Sequence, residues 1–257
     1  MSAPAQVSSL ARRSILRTVR QPAAIIPALF FPLIFLALIN GGARASTNIP
    51  GFPTDSYLAF ALAATAVQGA LLGGINAGAE FALDIESGFL SRLTLTPIRR
   101  PALLVGHLAG SMAVGAVQGT IFIVVGTIFD VDFAAGIGGA AVFVALVVLV
   151  ALAFSAIGAI IAIRTASSEA VQSVFPLFFI VMSFSSFFMP RDLISKDWFR
   201  WIATANPASY IIEAGRSVVI AGWDAGVILT GFAAAGGLAA AAIAVASRLL
   251  SRQVARV

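Results

Sequence analysis

Residues 137–163 read IGGAAVFVALVVLVALAFSAIGAIIAI, a run with no charged side chain. It exceeds the roughly 20 helical residues that cross a bilayer core. Working outward, similar apolar runs lie at 23–40, 57–79, 103–128, 170–189 and 224–246, which predicts six membrane-spanning helices. The whole chain carries the same bias: of 257 residues 60% are hydrophobic and 11% charged, with a mean hydropathy of +1.00. That composition excludes an ordinary water-soluble domain. The reading is an all-α integral membrane protein forming a single domain over 1–257.

Six crossings place both termini on one side. With the N-terminus inside, 11 cations fall on inner segments and 5 on outer ones, whereas 4 acids lie inside and 7 outside. Cationic residues accumulate on cytoplasmic loops, so both termini are expected in the cytoplasm of a bacterial inner membrane. Over 7–20 the four arginines Arg12, Arg13, Arg17 and Arg20 share an arc of about 140°, opposite Val7, Ala11, Ile15 and Val19. This predicts either an N-terminal amphipathic interfacial helix or a simple positive anchor, and no cleavable signal.

Much chemistry is absent. There is no cysteine, and the one lysine, Lys196, follows Ser195, so no G-x-x-x-x-G-K-[ST] phosphate loop exists. His107 is the sole histidine, which excludes a two-histidine metal helix and suits a packing role. Ser183, Ser185 and Ser186 lack a base nearby in sequence. The chain is therefore not expected to be an enzyme, to hold a cofactor or metal, or to bind nucleic acid.

Polar residues within spans are costly and face protein or a water-filled cavity. Thr65, Gln68, Asn76 and Glu80 share an arc of about 120° on the second span and should look inward. Gly69, Gly73, Gly74 and Gly78 interleave with them, so this face serves either a substrate path or close helix packing. Phe175, Phe178, Phe179, Met182 and Ser186 gather within about 100° on the fifth span, suited to an aromatic solute or to lipid.

Between the second and third spans the acids Glu80, Asp84 and Glu86 precede the bases Arg92, Arg99 and Arg100, with Phe89 and Leu90 among them. A short helix here would set Asp84 or Glu86 near its positive N-terminal end, with Pro97 as the stop. Asp84, Glu86, Gly88, Arg92, Pro97 and Arg100 follow D-x-E-x-G-x-x-x-R-x-x-x-x-P-x-x-R. This spacing resembles the cytoplasmic signature of type-2 ABC exporter permeases, especially the daunorubicin-resistance branch. A second likeness runs through Phe187, Phe188, Met189, Pro190, Trp198, Trp201, Asn206, Pro207 and Tyr210 to Glu213 and Arg216. In such permeases it corresponds to short outer re-entrant helices forming a gate. The Arg20-Gln21-Pro22 entry to the first span is also similar, and Ser209 departs where relatives often carry threonine.

The resemblance implies a homodimer, or a pair with a close paralogue, joined to two cytosolic ABC ATPase subunits that bind ATP and Mg. The loop at 84–100, a coupling helix, would sit in a groove of the ATPase. Exporters of this size carry drugs, lipids, glycolipids or glycans; a nucleotide-independent channel or scaffold is the competing class.

Overall fold

The computed structural model describes residues 22–88 and 100–254, and every regular element among them is helical. In chain order these are α1 (Pro22–Ala43), a 3-10 turn (Arg44–Asn48), α2 (Tyr57–Glu86), α3 (Arg100–Ile128) and α4 (Gly136–Thr165). Then follow α5 (Ser168–Gln172), α6 (Phe175–Ser183), a 3-10 turn (Arg191–Leu193), α7 (Asp197–Ala205), α8 (Pro207–Arg216), a π turn (Ser217–Ala221) and α9 (Ala225–Val254). The expected interfacial helix at 7–20, and Phe89, Arg92, Pro97 and Arg99 of the expected coupling helix, lie outside the described residues.

Five helical stretches among the described residues are long and apolar enough to cross a membrane: Leu29–Asn48, Tyr57–Glu86, Leu104–Ile128, Gly136–Thr165 and Ala225–Arg252. The apolar run at 170–189, expected to be continuous, is instead broken. Pro176 has no N–H to give the Gln172 carbonyl and its ring would crowd it, so α5 stops at Gln172 and α6 restarts at Phe175. The nine residues of α6 cover only about 14 Å, and residues 184–189 continue without regular structure.

α2 is the axis of the bundle, with most of its residues buried. The Ser56 hydroxyl caps it by accepting from the Ala59 N–H at 3.3 Å. Nothing interrupts the helix until Gly88, whose φ of +68° suits glycine and turns the chain away. Glu80, Asp84 and Glu86 therefore ride on its last turns. This corrects the expected short helix with Asp84 or Glu86 at its N-terminal end: both sit at a C-terminal end instead.

α2 meets α4 backbone to backbone. A Cβ on Gly78 would lie 2.5 Å from the Gly158 Cα, and one on Gly158 would lie 2.8 Å from the Gly78 Cα. Close approach through small residues is how helices associate in lipid, where apolar burial gives little net drive. Outward-facing side chains are apolar as well, among them Phe30, Ile34 and Leu38 on α1 and Leu229 on α9, all exposed.

Hydrogen bonds define the two ends of the bundle. At one end the turn before α4 pairs with the π turn, Ala134 N to Val219 O and Ala135 N to Val218 O, both 3.1 Å. At the other, the Glu86 carboxylate at the end of α2 meets the turn between α4 and α5. Gly78→Leu should force α2 and α4 apart, costing about 1–3 kcal/mol or more as overpacking does. Tryptophan-detected melting in detergent should show a lower Tm than wild type, while Gly237→Leu, at a position with nothing within 4 Å of an added Cβ, should melt as wild type.

Candidate functional site

At the Glu86 end, the Oε1 atom accepts from the Ser168 backbone N–H at 2.6 Å. The Ser167 hydroxyl accepts from Ala170 N at 3.2 Å, so two side chains cap the start of α5. The acidic part of the 84–100 motif is thereby joined to the broken helix pair α5/α6. Gly88 serves as the C-terminal stop of α2, where an added Cβ would meet no described atom within 4 Å. His107 packs between the Phe81 ring, 4.7 Å between centroids, and the Ser155 hydroxyl, 3.3 Å from Nε2.

In mid-span, Thr65 and Gln68 are fully buried and Asn76 and Glu80 half-buried, on a helix that is buried on nearly every side. Thr65 Oγ1 is satisfied by its own helix, donating toward Ala61 O and Leu62 O. Gln68 has no hydrogen-bond partner for either amide atom, and neither does the equally buried Gln118 on α3. The Gln118 amide fills the notch left by Gly69, where a Cβ would lie 1.6 Å from Nε2. Sequence reasoning missed Gln118, although it is the one carboxamide in the run at 103–128.

The aromatic face of α6 divides its contacts. Phe175 and Phe179 turn to α1, meeting Phe31 at 6.5 Å and Phe35 at 6.0 Å, edge to face. Phe178 meets Phe154 of α4 at 5.3 Å and, with buried Met182, lines an apolar cavity of about 150 Å³ that includes Leu71 and Leu238.

Beyond α6 the irregular stretch 184–189 exposes carbonyls that no helix satisfies, and α8 supplies donors for them. Asn206 stands before its first turn: its Oδ1 accepts from Ala208 N at 2.9 Å, while Nδ2 donates to Val181 O at 2.7 Å and Phe184 O at 3.1 Å. Pro207 occupies the first helical position, where no N–H is needed. Ser209 Oγ accepts from Ser186 N at 3.0 Å and donates to Ala203 O at 2.6 Å. Tyr57, from α2, donates to Phe188 O at 3.2 Å.

Arg216 completes the set. Its buried guanidinium donates through Nε to Phe60 O at 2.9 Å, through Nη1 to Ser186 O, and through Nη2 to Phe187 O at 2.7 Å. The Phe60 ring lies against it, 3.5 Å from Cζ to centroid. One face of α8 thus carries Asn206, Ser209, Glu213 and Arg216, and Glu213 forms a two-point ion pair with Arg191. Burial disfavours the Arg191 charge, but the carboxylate outweighs it and the Arg191 pKa is raised.

Of the expected gate residues, Phe187 and Asn206 are buried in this junction, Tyr210 donates to Thr204 O at 2.8 Å, and Phe188, Trp198 and Trp201 are exposed. Sequence reading noted Arg216 only as the end of a motif. Its place ten residues after Asn206, on the same helical face, was the available signal.

A sequence family described as ABC-2 type transporter matches residues 5–220. The chain is 25% identical over 214 residues to a protein named as a transport permease, ycf38, of Porphyra purpurea, covering 83% of this chain and 73% of that one. It is 22% identical over 219 residues to a protein of Mycobacterium tuberculosis named as the doxorubicin resistance ABC transporter permease protein DrrC, covering 85% and 78%.

Removing Arg216 leaves three buried carbonyls without their donor, each a loss of about 1–3 kcal/mol. Arg216→Met should lower Tm steeply, and Arg216→Lys should recover little, since an ammonium lacks the planar fork that reaches three separated acceptors. Melting curves followed by tryptophan emission check this; full recovery by lysine would show that charge alone suffices.

Proposed function

We propose that this chain, which belongs to the ABC-2 type transporter family, is the membrane-embedded subunit of an ATP-driven exporter. Its cargo is a hydrophobic or amphipathic molecule, and ATP with Mg is bound and hydrolysed by a separate cytosolic subunit. The observation that carries this reading is the continuity of α2. One unbroken helix bears Asp84 and Glu86 of the signature at one end, with Gly88 just past it, and presents the Phe60 carbonyl to Arg216 at the other. Movement imposed by an ATPase at the signature therefore has a stiff route to the opposite face of the membrane.

In this reading two permeases, identical or paralogous, pair with two ATPases, and the loop at 84–100 sits in the ATPase groove. α5, α6 and residues 184–190 together make the sixth crossing, α7 and α8 re-enter the outer leaflet, and both termini face the cytoplasm. The 11-to-5 division of cations supports that orientation. The motor's free energy enters through contacts that differ between the inward and outward states. Glycan export by the same architecture is the alternative cargo, and a nucleotide-independent channel or scaffold the alternative class.

Affinity purification from native membranes in mild detergent should recover a stoichiometric ATPase. A clean homo-oligomer without any nucleotide-binding chain would move the assignment to a channel or scaffold. Glu86→Ala, which frees the Ser168 N–H at an exposed position, should leave Tm within about 1 kcal/mol-equivalent of wild type yet reduce ATP-driven transport at least tenfold. Gly88→Leu should act likewise; unchanged transport in both variants would remove the loop from the coupling route.

A further inference from the structure

Five helices meet around the apolar cavity of about 150 Å³: Val67 and Leu71 of α2, Phe154 of α4, Met182 of α6 and Leu238 of α9 line it, and the start of α8 completes the wall. Protein interiors are normally packed too densely to leave such a hole. An empty one forfeits the contacts that its lining would otherwise make. This one lies where α6 is about to stop, at Ser183, and where α8 begins, at Pro207.

The lining offers little to a polar guest. Asn206 is its one polar side chain, and that amide is already engaged: Nδ2 donates to Val181 O and Phe184 O, and Oδ1 accepts from Ala208 N. A buried water needs two to four polar partners, whereas apolar cavities of about 150 Å³ stay dry and accept one benzene molecule or xenon atom. The walls favour a ring over a chain. Phe154 and Phe178 meet edge to face at 5.3 Å, an arrangement that a third ring extends. Buried Met182 adds a sulfur, which is attracted to the edge of an aromatic ring. Val181, also in the wall, is exposed on the bundle's surface, so the cavity is one side chain away from the outside.

We propose that this cavity is a binding site for a single aromatic ring of a lipid-dissolved molecule, seated among Phe154, Phe178 and Met182. A drug-sized solute does not fit whole, since sites for such ligands run to roughly 300–1,000 Å³; one ring of it does. Of the aromatic face of α6 only Phe178 and Met182 take part, because Phe175 and Phe179 pack against α1. Calling the ring part of a cargo rests on the exporter reading; its binding does not. The site is therefore tested with the permease alone.

The chain holds four methionines. Met182 is buried in the cavity wall, whereas Met112 on α3 is exposed. The full chain with ¹³C-methyl methionine, in lipid nanodiscs, is titrated with benzene, and the Met182 signal is assigned with Met182→Leu. The expected result is a ring-current shift of the Met182 methyl that saturates, while the Met112 shift grows in proportion to the benzene dissolved in the bilayer. Ala208→Leu and Leu238→Phe, which add carbon at the cavity wall, should weaken the Met182 response at least tenfold and leave Tm at or above that of wild type, as cavity filling does. Val124→Phe, at an exposed position outside the lining, should respond as wild type. n-Hexane should compete at least tenfold more weakly than a second aromatic, toluene. A Met182 shift merely proportional to benzene, like that of Met112, would overturn the proposal whether or not the variants fold. So would undiminished saturation in both filled variants, or displacement by hexane as readily as by toluene, which would make the cavity a slot for an acyl chain. Recovery or absence of a co-purifying ATPase bears on the exporter reading independently of each of these outcomes.

Discussion

A helix broken within a lipid-facing bundle leaves backbone carbonyls that water is not there to solvate, and the half of this fold around α6 and α8 is arranged around satisfying them. Between Val181 and Phe188 the acceptors are taken by Asn206, Ser185, Arg216 and Tyr57, side chains drawn from α8, α2 and the broken segment itself. Arg216 contributes most because its fork reaches both the irregular stretch and Phe60 on α2. The short helix α8 is consequently not a loose connector: its face is the hydrogen-bonding complement of the segment that α6 cannot continue. The ion pair of Glu213 with Arg191 then fastens the chain just past that segment to the same helix.

The other half of the fold depends on a different device, the absence of side chains. Gly78 against Gly158, and Gly74 against the backbone of Ala151 and Ser155, bring α2 and α4 closer than any larger residue allows. Polar groups in that region are few, and two are unusual: the buried amides of Gln68 and Gln118 have no protein partner in this conformation. They mark the α2–α3 contact as a place where the lowest-energy packing and the polar complement of the helices disagree.

Much of this was legible in the sequence. Hydropathy located every apolar run, and of the two roles open to the glycines of the second run, Gly74 and Gly78 take the packing one against α4. Hydropathy misplaced the end of α2, because polarity at Glu80 marks where apolar surroundings end, whereas the backbone stays helical until Gly88 permits a left-handed turn. The break at Pro176 was hidden for the opposite reason: the residues around it are uniformly apolar, so a period-averaged reading passes over one missing N–H. The partners of Arg216 lie 29, 30 and 156 residues away along the chain; no local pattern encodes which carbonyls a distant guanidinium will reach. The segment Asn206 to Arg216 was recognised by resemblance, and only the fold gave each of its side chains a task.

The Gly78–Gly158 contact has a mechanical meaning. Where two backbones touch without intervening side chains, α2 has a fulcrum, and it is placed off centre: eight residues from Glu86 and twenty-one from Tyr57. At about 1.5 Å of rise per residue the two arms are about 12 Å and about 32 Å. A stiff helix tilting about that point moves its Tyr57 end roughly 2.6 times as far as its Glu86 end, so α2 is geared to turn a small displacement at one end into a larger one at the other.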